Sequence, residues 1–148
     1  MAMLGAVTVL ISMLGGAKAE PGTLDVIGRW YTPEEATIIE VYDCGDGSPC
    51  GRVAWIADVE DNMFYDHNNP EPDKRGQPLL GMTLLHGFES GGYGWQGGSI
   101  YNPKDGREYR AKMRRLDEET VELKGCVGPI CRGQIWTSVN AGVLPLGE

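Results

Sequence analysis

The sequence predicts an all-β fold, a small antiparallel up-and-down β-barrel of about eight strands. Runs rich in β-branched and aromatic residues recur at near-even spacing from residue 27 to residue 139, with Gly and Pro between them. Glycine, at 22 of 148 residues, suits tight turns and bulges far better than helix interiors. The alternative arrangement of the same strands is a two-sheet sandwich.

The chain opens with a segment that does not belong to that domain. Residues 4–14 form an uncharged apolar run, followed by small residues and Ala17-Lys18-Ala19. An apolar stretch ending in an A-x-A site is the pattern of a cleaved export signal, and the run is too short to span a membrane. Met1-Ala2-Met3 lacks the usual basic residue, so an uncleaved anchor or a buried N-terminal helix are the competing readings. The expected division is a signal peptide over 1–19, one barrel domain over 20–139 and a loose tail over 140–148, where Gly142, Pro145 and Gly147 interrupt any pattern.

Within the domain, strands are expected at 27–32, 36–43 and 52–58. A polar connection over 60–77 follows, then strands at 79–88, 94–102, 107–116, 120–127 and 130–139. The turn Asn102-Pro103-Lys104-Asp105-Gly106 combines a preset φ, a turn-forming Asp and a glycine. After it, Tyr109, Ala111 and Met113 share one face, with Arg110, Lys112 and Arg114 on the other. Pairing Met113 with Leu123 sets Arg114 opposite Glu122, so hydrophobic pattern and charge agree on one register.

Four cysteines lie in two close pairs, Cys44/Cys50 and Cys126/Cys131. In an exported chain this reads as disulfides, most simply Cys44–Cys50 with Cys126–Cys131, although three connectivities exist. A four-thiolate zinc site is the rival, against which the spacings and an oxidising compartment both count. The formal charge is −8, and −9 once Lys18 has left with the leader. Such a domain repels phosphate backbones and anionic lipid surfaces, which argues against nucleic acid and membrane as partners.

Chemistry-bearing constellations are sparse. The polar connection carries Asp66, His67 and Asn69 among other oxygen-bearing side chains, but lacks calcium-loop spacing. Its expected role is local backbone bonding that orders a long loop. An acid–base pair of Asp66 with His86 across the barrel mouth is the catalytic alternative. The run from Gly91 to Gly98 precedes no helix and reads as a bulged strand rather than a phosphate loop. The row Arg107, Arg110, Lys112 and Arg114 reads as a solvated face balanced by nearby Glu. Trp30, Trp55, Trp95, Trp136 and Tyr101 each fall in an expected strand, where such rings fill a small barrel or line a ligand cavity.

The order of motifs carries a resemblance. Gly28-x-Trp30, Cys50-Gly51-Arg52-Val53-x-Trp55 and Gly76-x-Pro78-Leu79-Leu80-Gly81 come first. Then follow Trp95-x-Gly97-Gly98-x-Ile100-Tyr101-Asn102-Pro103, Gly125-Cys126 and Cys131-Arg132-x-x-x-Trp136-Thr137. Together they resemble the secreted bacterial family numbered 2147 among domains of unknown function. That implies fold and export, and supplies no catalytic residue. Gly28-x-Trp30 is also similar to the opening motif of lipocalins, which implies a late-strand arginine packed on that tryptophan, here Arg132. The lipocalin C-terminal helix has no counterpart in this sequence.

The resulting expectation is a periplasmic or secreted binding or interaction module, without catalytic residues, metal or cofactor. Its ligand is a small apolar or anionic molecule held at a mouth lined by Trp30, Trp55, Trp95, Tyr101, Trp136 and Arg132. The alternatives are an enzyme working from the 66–69 loop and a structural envelope protein with a filled barrel. Oligomeric state stays open.

Overall fold

The computed structural model describes Gly5, residues 22–57 and residues 64–140. The expected leader, apart from Gly5, and all but the first residue of the expected tail lie outside them. Among the described residues nine strands follow in order: β1 Gly28–Tyr31, β2 Thr37–Asp43, β3 Pro49–Ile56, β4 Thr83–His86, β5 Glu89–Ser90, β6 Trp95–Asn102, β7 Arg107–Arg115, β8 Thr120–Val127 and β9 Ile130–Ser138. The sheet order is β4-β3-β2-β1-β9-β8-β7-β6-β5, with a further pairing between β4 and β6. That pairing, Leu85↔Ile100 and His86↔Ser99, closes an antiparallel ring of eight strands. Closure removes the free sheet edges that an open sheet of this size would present. β5 is a short addition that pairs only with β6.

The expected strands are all present, and the differences lie at their ends. β4 is four residues long where ten were expected. Gly81 at φ 86° and Gly87 at φ 80° bracket it in a conformation that cannot continue a strand. Leu79, expected in the strand, instead plugs the core from the preceding loop. The β7–β8 register is as expected, with Met113↔Leu123 and Arg114↔Glu122, and the latter pair forms an ion pair at 3.2 Å.

Alternation along β7 and β8 buries Ala111, Met113, Val121 and Leu123 together. They join Val26, Trp30, Ile39, Val41, Val53, Leu84, Leu85, Phe88 and Trp136 in one core. Both disulfides are local: Cys44–Cys50 closes the β2–β3 turn, and Cys126–Cys131 links directly opposed residues of the β8–β9 hairpin.

One end of the barrel is sealed. The segment before β1 crosses it, with Val26 fully buried. The Trp30 Nε1–H donates to the Val26 carbonyl and the Trp95 Nε1–H to the Leu24 carbonyl, both at 2.9 Å. The arginine over Trp30 is Arg115, whose Cζ lies 5.2 Å from the ring centroid. Arg132, the position implied by the resemblance, is on another strand at the other end. β7 rather than β9 brings a guanidinium to the sealed end, because Arg115 is the last residue of β7 and adjoins the Thr23–Asp25 segment.

Candidate functional site: an open cavity at the unsealed end

The unsealed end is where β1 stops short. β1 pairs with β9 only at Trp30↔Ser138 and Tyr31↔Thr137, because Pro33 starts a 3-10 turn that reverses the chain into β2. β9 runs on past that turn with Ile130–Ile135 exposed. A cavity of about 810 Å³ opens there, within the usual range for small-molecule sites of about 300–1,000 Å³. Its deeper wall includes Ile39, Val53, Leu84, Leu85, Leu123 and Trp136. Its rim includes Glu34, Lys104, Asp105, Tyr109, Arg132 and Gln134.

The six residues expected at the mouth divide. Trp136, Tyr101 and Arg132 line the cavity. Trp30 and Trp95 do not; they belong to the sealed end, where their indole nitrogens are already bonded. Trp55 does not either. It is exposed and stands edge-on to Tyr31, centroids 6.3 Å apart, outside the lining. A register irregularity between Ile38 and Ile39 alters the β2–β3 alternation just before Trp55. The barrel is therefore filled by rings at one end and hollow at the other. Gln134 is one of several lining residues that were not expected at the mouth. Counting back by twos from Trp136 along β9 reaches it.

The polar loop does structural work. Asp66 is fully buried, and its two carboxylate oxygens accept from the Tyr101 hydroxyl and from Asn69 Nδ2, each at 2.7 Å. Burial, and then the Asp66 carboxylate, push the Tyr101 phenol well above the usual tyrosine range. Asn68 Nδ2 donates to the Pro103 and Lys104 carbonyls at 3.1 Å, which ties this loop to the β6–β7 turn at the cavity rim. His67 is exposed and edge-on to Tyr65. His86 is exposed beside Ser99, whose partner Arg110 is on the outer face, so Asp66 and His86 do not form a pair. Among the described residues no cluster of three or more His, Cys, Asp or Glu is placed to hold a metal ion.

On the outer wall, Tyr93 is surrounded by Lys112, Arg114 and Lys124, with cation-to-centroid distances of 5.7, 4.6 and 5.2 Å. Its hydroxyl donates to Glu122. Burial and that carboxylate raise the Tyr93 phenol to about 12. The same bond is the main reason why Glu122 ionises below the usual glutamate range.

A closed eight-stranded barrel with one sealed and one open end defines a lipocalin-like fold. A solved structure described as protein HP1028 of Helicobacter pylori, belonging to the lipocalin family, is similar at TM-score 0.69 and 20% identity. The match covers 80% of this chain and 86% of that one. Residues 28–138 match the family described as an uncharacterized protein conserved in bacteria, domain of unknown function 2147. The chain belongs to that family. Among curated proteins none matches. The two disulfides are consistent with an extracytoplasmic protein.

Proposed function

We propose that this protein binds a small, largely apolar molecule inside the open half of its barrel, and that it does so outside the cytoplasm after removal of residues 1–19. The observation that supports binding is the cavity of about 810 Å³, walled by aliphatic side chains and Trp136. A barrel that only needed stability would gain by filling that space, since voids forfeit contacts on every side. Lipocalin-like architecture agrees with this reading, because barrels of eight strands have room for one small ligand.

Native mass spectrometry on protein purified from the periplasm, without reductant, tests both halves. The expected result is a chain beginning at Glu20 that carries a small molecule released on unfolding. A bare chain that also leaves Trp136 emission unchanged across a panel of apolar compounds would favour a structural role. Comparison with a Trp136→Phe variant assigns any change to that ring.

A further inference from the structure

We infer that the ligand carries a carboxylate, recognised by Arg132 and Gln134; this rests on the cavity-binding reading above. Alternate residues of β9 form one strip of the inner wall: Trp136 deepest, then Gln134, Arg132 and Ile130 at the lip. The Trp136 Nε1–H donates to Gln134 Oε1 at 3.2 Å. An indole nitrogen can only donate, so it takes the oxygen of the amide and leaves the Gln134 NH₂ without that partner. Arg132, next along the strip, presents five N–H donors and no acceptor. Among the described residues its guanidinium makes none of the ion pairs.

The other charges at the rim do not compensate it. Asp105 accepts from the Tyr109 hydroxyl and from the Arg107 backbone N–H. Glu34, held at φ 64° in the 3-10 turn, is within ion-pair distance of neither Arg132 nor Lys104. The strip therefore offers donors beside an apolar interior. Its complement is an amphiphile whose head only accepts. An ionised carboxylate fits, since its two oxygens match the guanidinium fork and leave lone pairs for the Gln134 amide. A hydroxyl head presents one neutral oxygen to the guanidinium fork, with only the second lone pair of Gln134 Oε1 to take its proton, and an ammonium head brings donors alone. The chain's formal charge of −8 disfavours anions at long range, so this recognition acts at contact.

Calorimetric titration of the intact protein with decanoate, decanol and decylamine tests the assignment. Decanoate is expected to bind roughly tenfold or more tightly than decanol, the scale of a charge-assisted hydrogen bond. Decylamine is expected to bind more weakly still. Arg132→Gln is expected to bring decanoate down to the affinity of decanol and to leave decanol unchanged, with an unaltered melting profile because Arg132 is exposed. Arg132→Lys, which keeps the charge and loses the fork, should fall between. Equal binding of decanoate and decanol, or decanoate binding untouched by Arg132→Gln, overturns the carboxylate and leaves the cavity reading standing. Absence of binding by all three overturns both.

Discussion

The Arg115 guanidinium lies across the Trp30 ring and ties together three carbonyls at the sealed end. Its Nε donates to Asp117 O at 2.8 Å, and its two terminal nitrogens to Asp25 O at 3.1 Å and Glu118 O at 2.6 Å. Asp25, on the segment that crosses this end, also lies 3.5 Å away as an ion-pair partner. One side chain thus joins the segment before β1 to the β7–β8 turn and covers one of the two buried tryptophan rings of the core.

Replacing Arg115 by Met is expected to lower the unfolding free energy by about 2–3 kcal/mol, because several carbonyls lose a charged donor. Lys at this position recovers charge without the planar fork, so a loss of about 1–2 kcal/mol should remain. Urea unfolding measures both. A lysine variant as stable as the parent would show that stacking and fork geometry contribute nothing.

Gly106 allows the polar loop to dock. A Cβ at this position would lie 1.9 Å from the Asn68 carbonyl oxygen, and its φ of 71° already disfavours other residues. Gly106→Ala is expected to cost about 1–3 kcal/mol. Hydrogen exchange should quicken in residues 64–78 while the β7–β8 amides stay protected. Uniform protection throughout would mean that the loop is held by Asp66 alone.

Lys112 and Lys124 are direct cross-strand partners, a like-charge opposition that costs stability. Lys112→Glu replaces it with an attractive pair. A gain of about 0.5 kcal/mol is expected at low salt, shrinking as salt is added. Chemical denaturation at two salt concentrations checks it, and no gain at low salt would refute the argument.

The Tyr93–Glu122 bond gives stability opposite pH limits. Glu122 has its folded pKa lowered, so its contribution is present above its ordinary value of 4.5 and is lost as acid protonates it. Tyr93 has its folded pKa raised, so its contribution is present below the ordinary 10.0 and is lost as pH climbs through about 12. Tyr93→Phe is expected to flatten both limbs of the stability–pH curve relative to the parent. Identical curves for parent and variant would show the bond to be without weight in solution.

Much of the barrel was legible because period-two alternation on β7 and β8 leaves one register that buries Met113 and Leu123 together. The bracketing of β4 was harder to read, since Gly81 and Gly87 look no different from glycines that strands tolerate. The cavity lining was legible along β9, where Arg132 and Trp136 share a face. It was misread where rings were grouped by type: Trp30, Trp95 and Trp136 all sit on strands, and only the short reach of β1 decides which end is hollow. Trp55 was misplaced because the irregularity at the adjacent Ala54 shifts its face, which no local composition announces. Arg115 escaped notice because its partners are backbone carbonyls, which the sequence does not display.

The seam between β1 and β9 also sets the order in which the molecule can be completed. Most strand pairs join neighbours in the chain, but Trp30 meets Ser138, so ring closure requires almost the whole polypeptide. Contacts of such long sequence separation form late, after local hairpins have lowered the entropy of the search. A chain delivered from its N-terminus therefore holds β1 and β2 as an unfinished sheet until β9 arrives. Two ladder pairs and the bond from the Val139 N–H to the Arg29 carbonyl then secure the join.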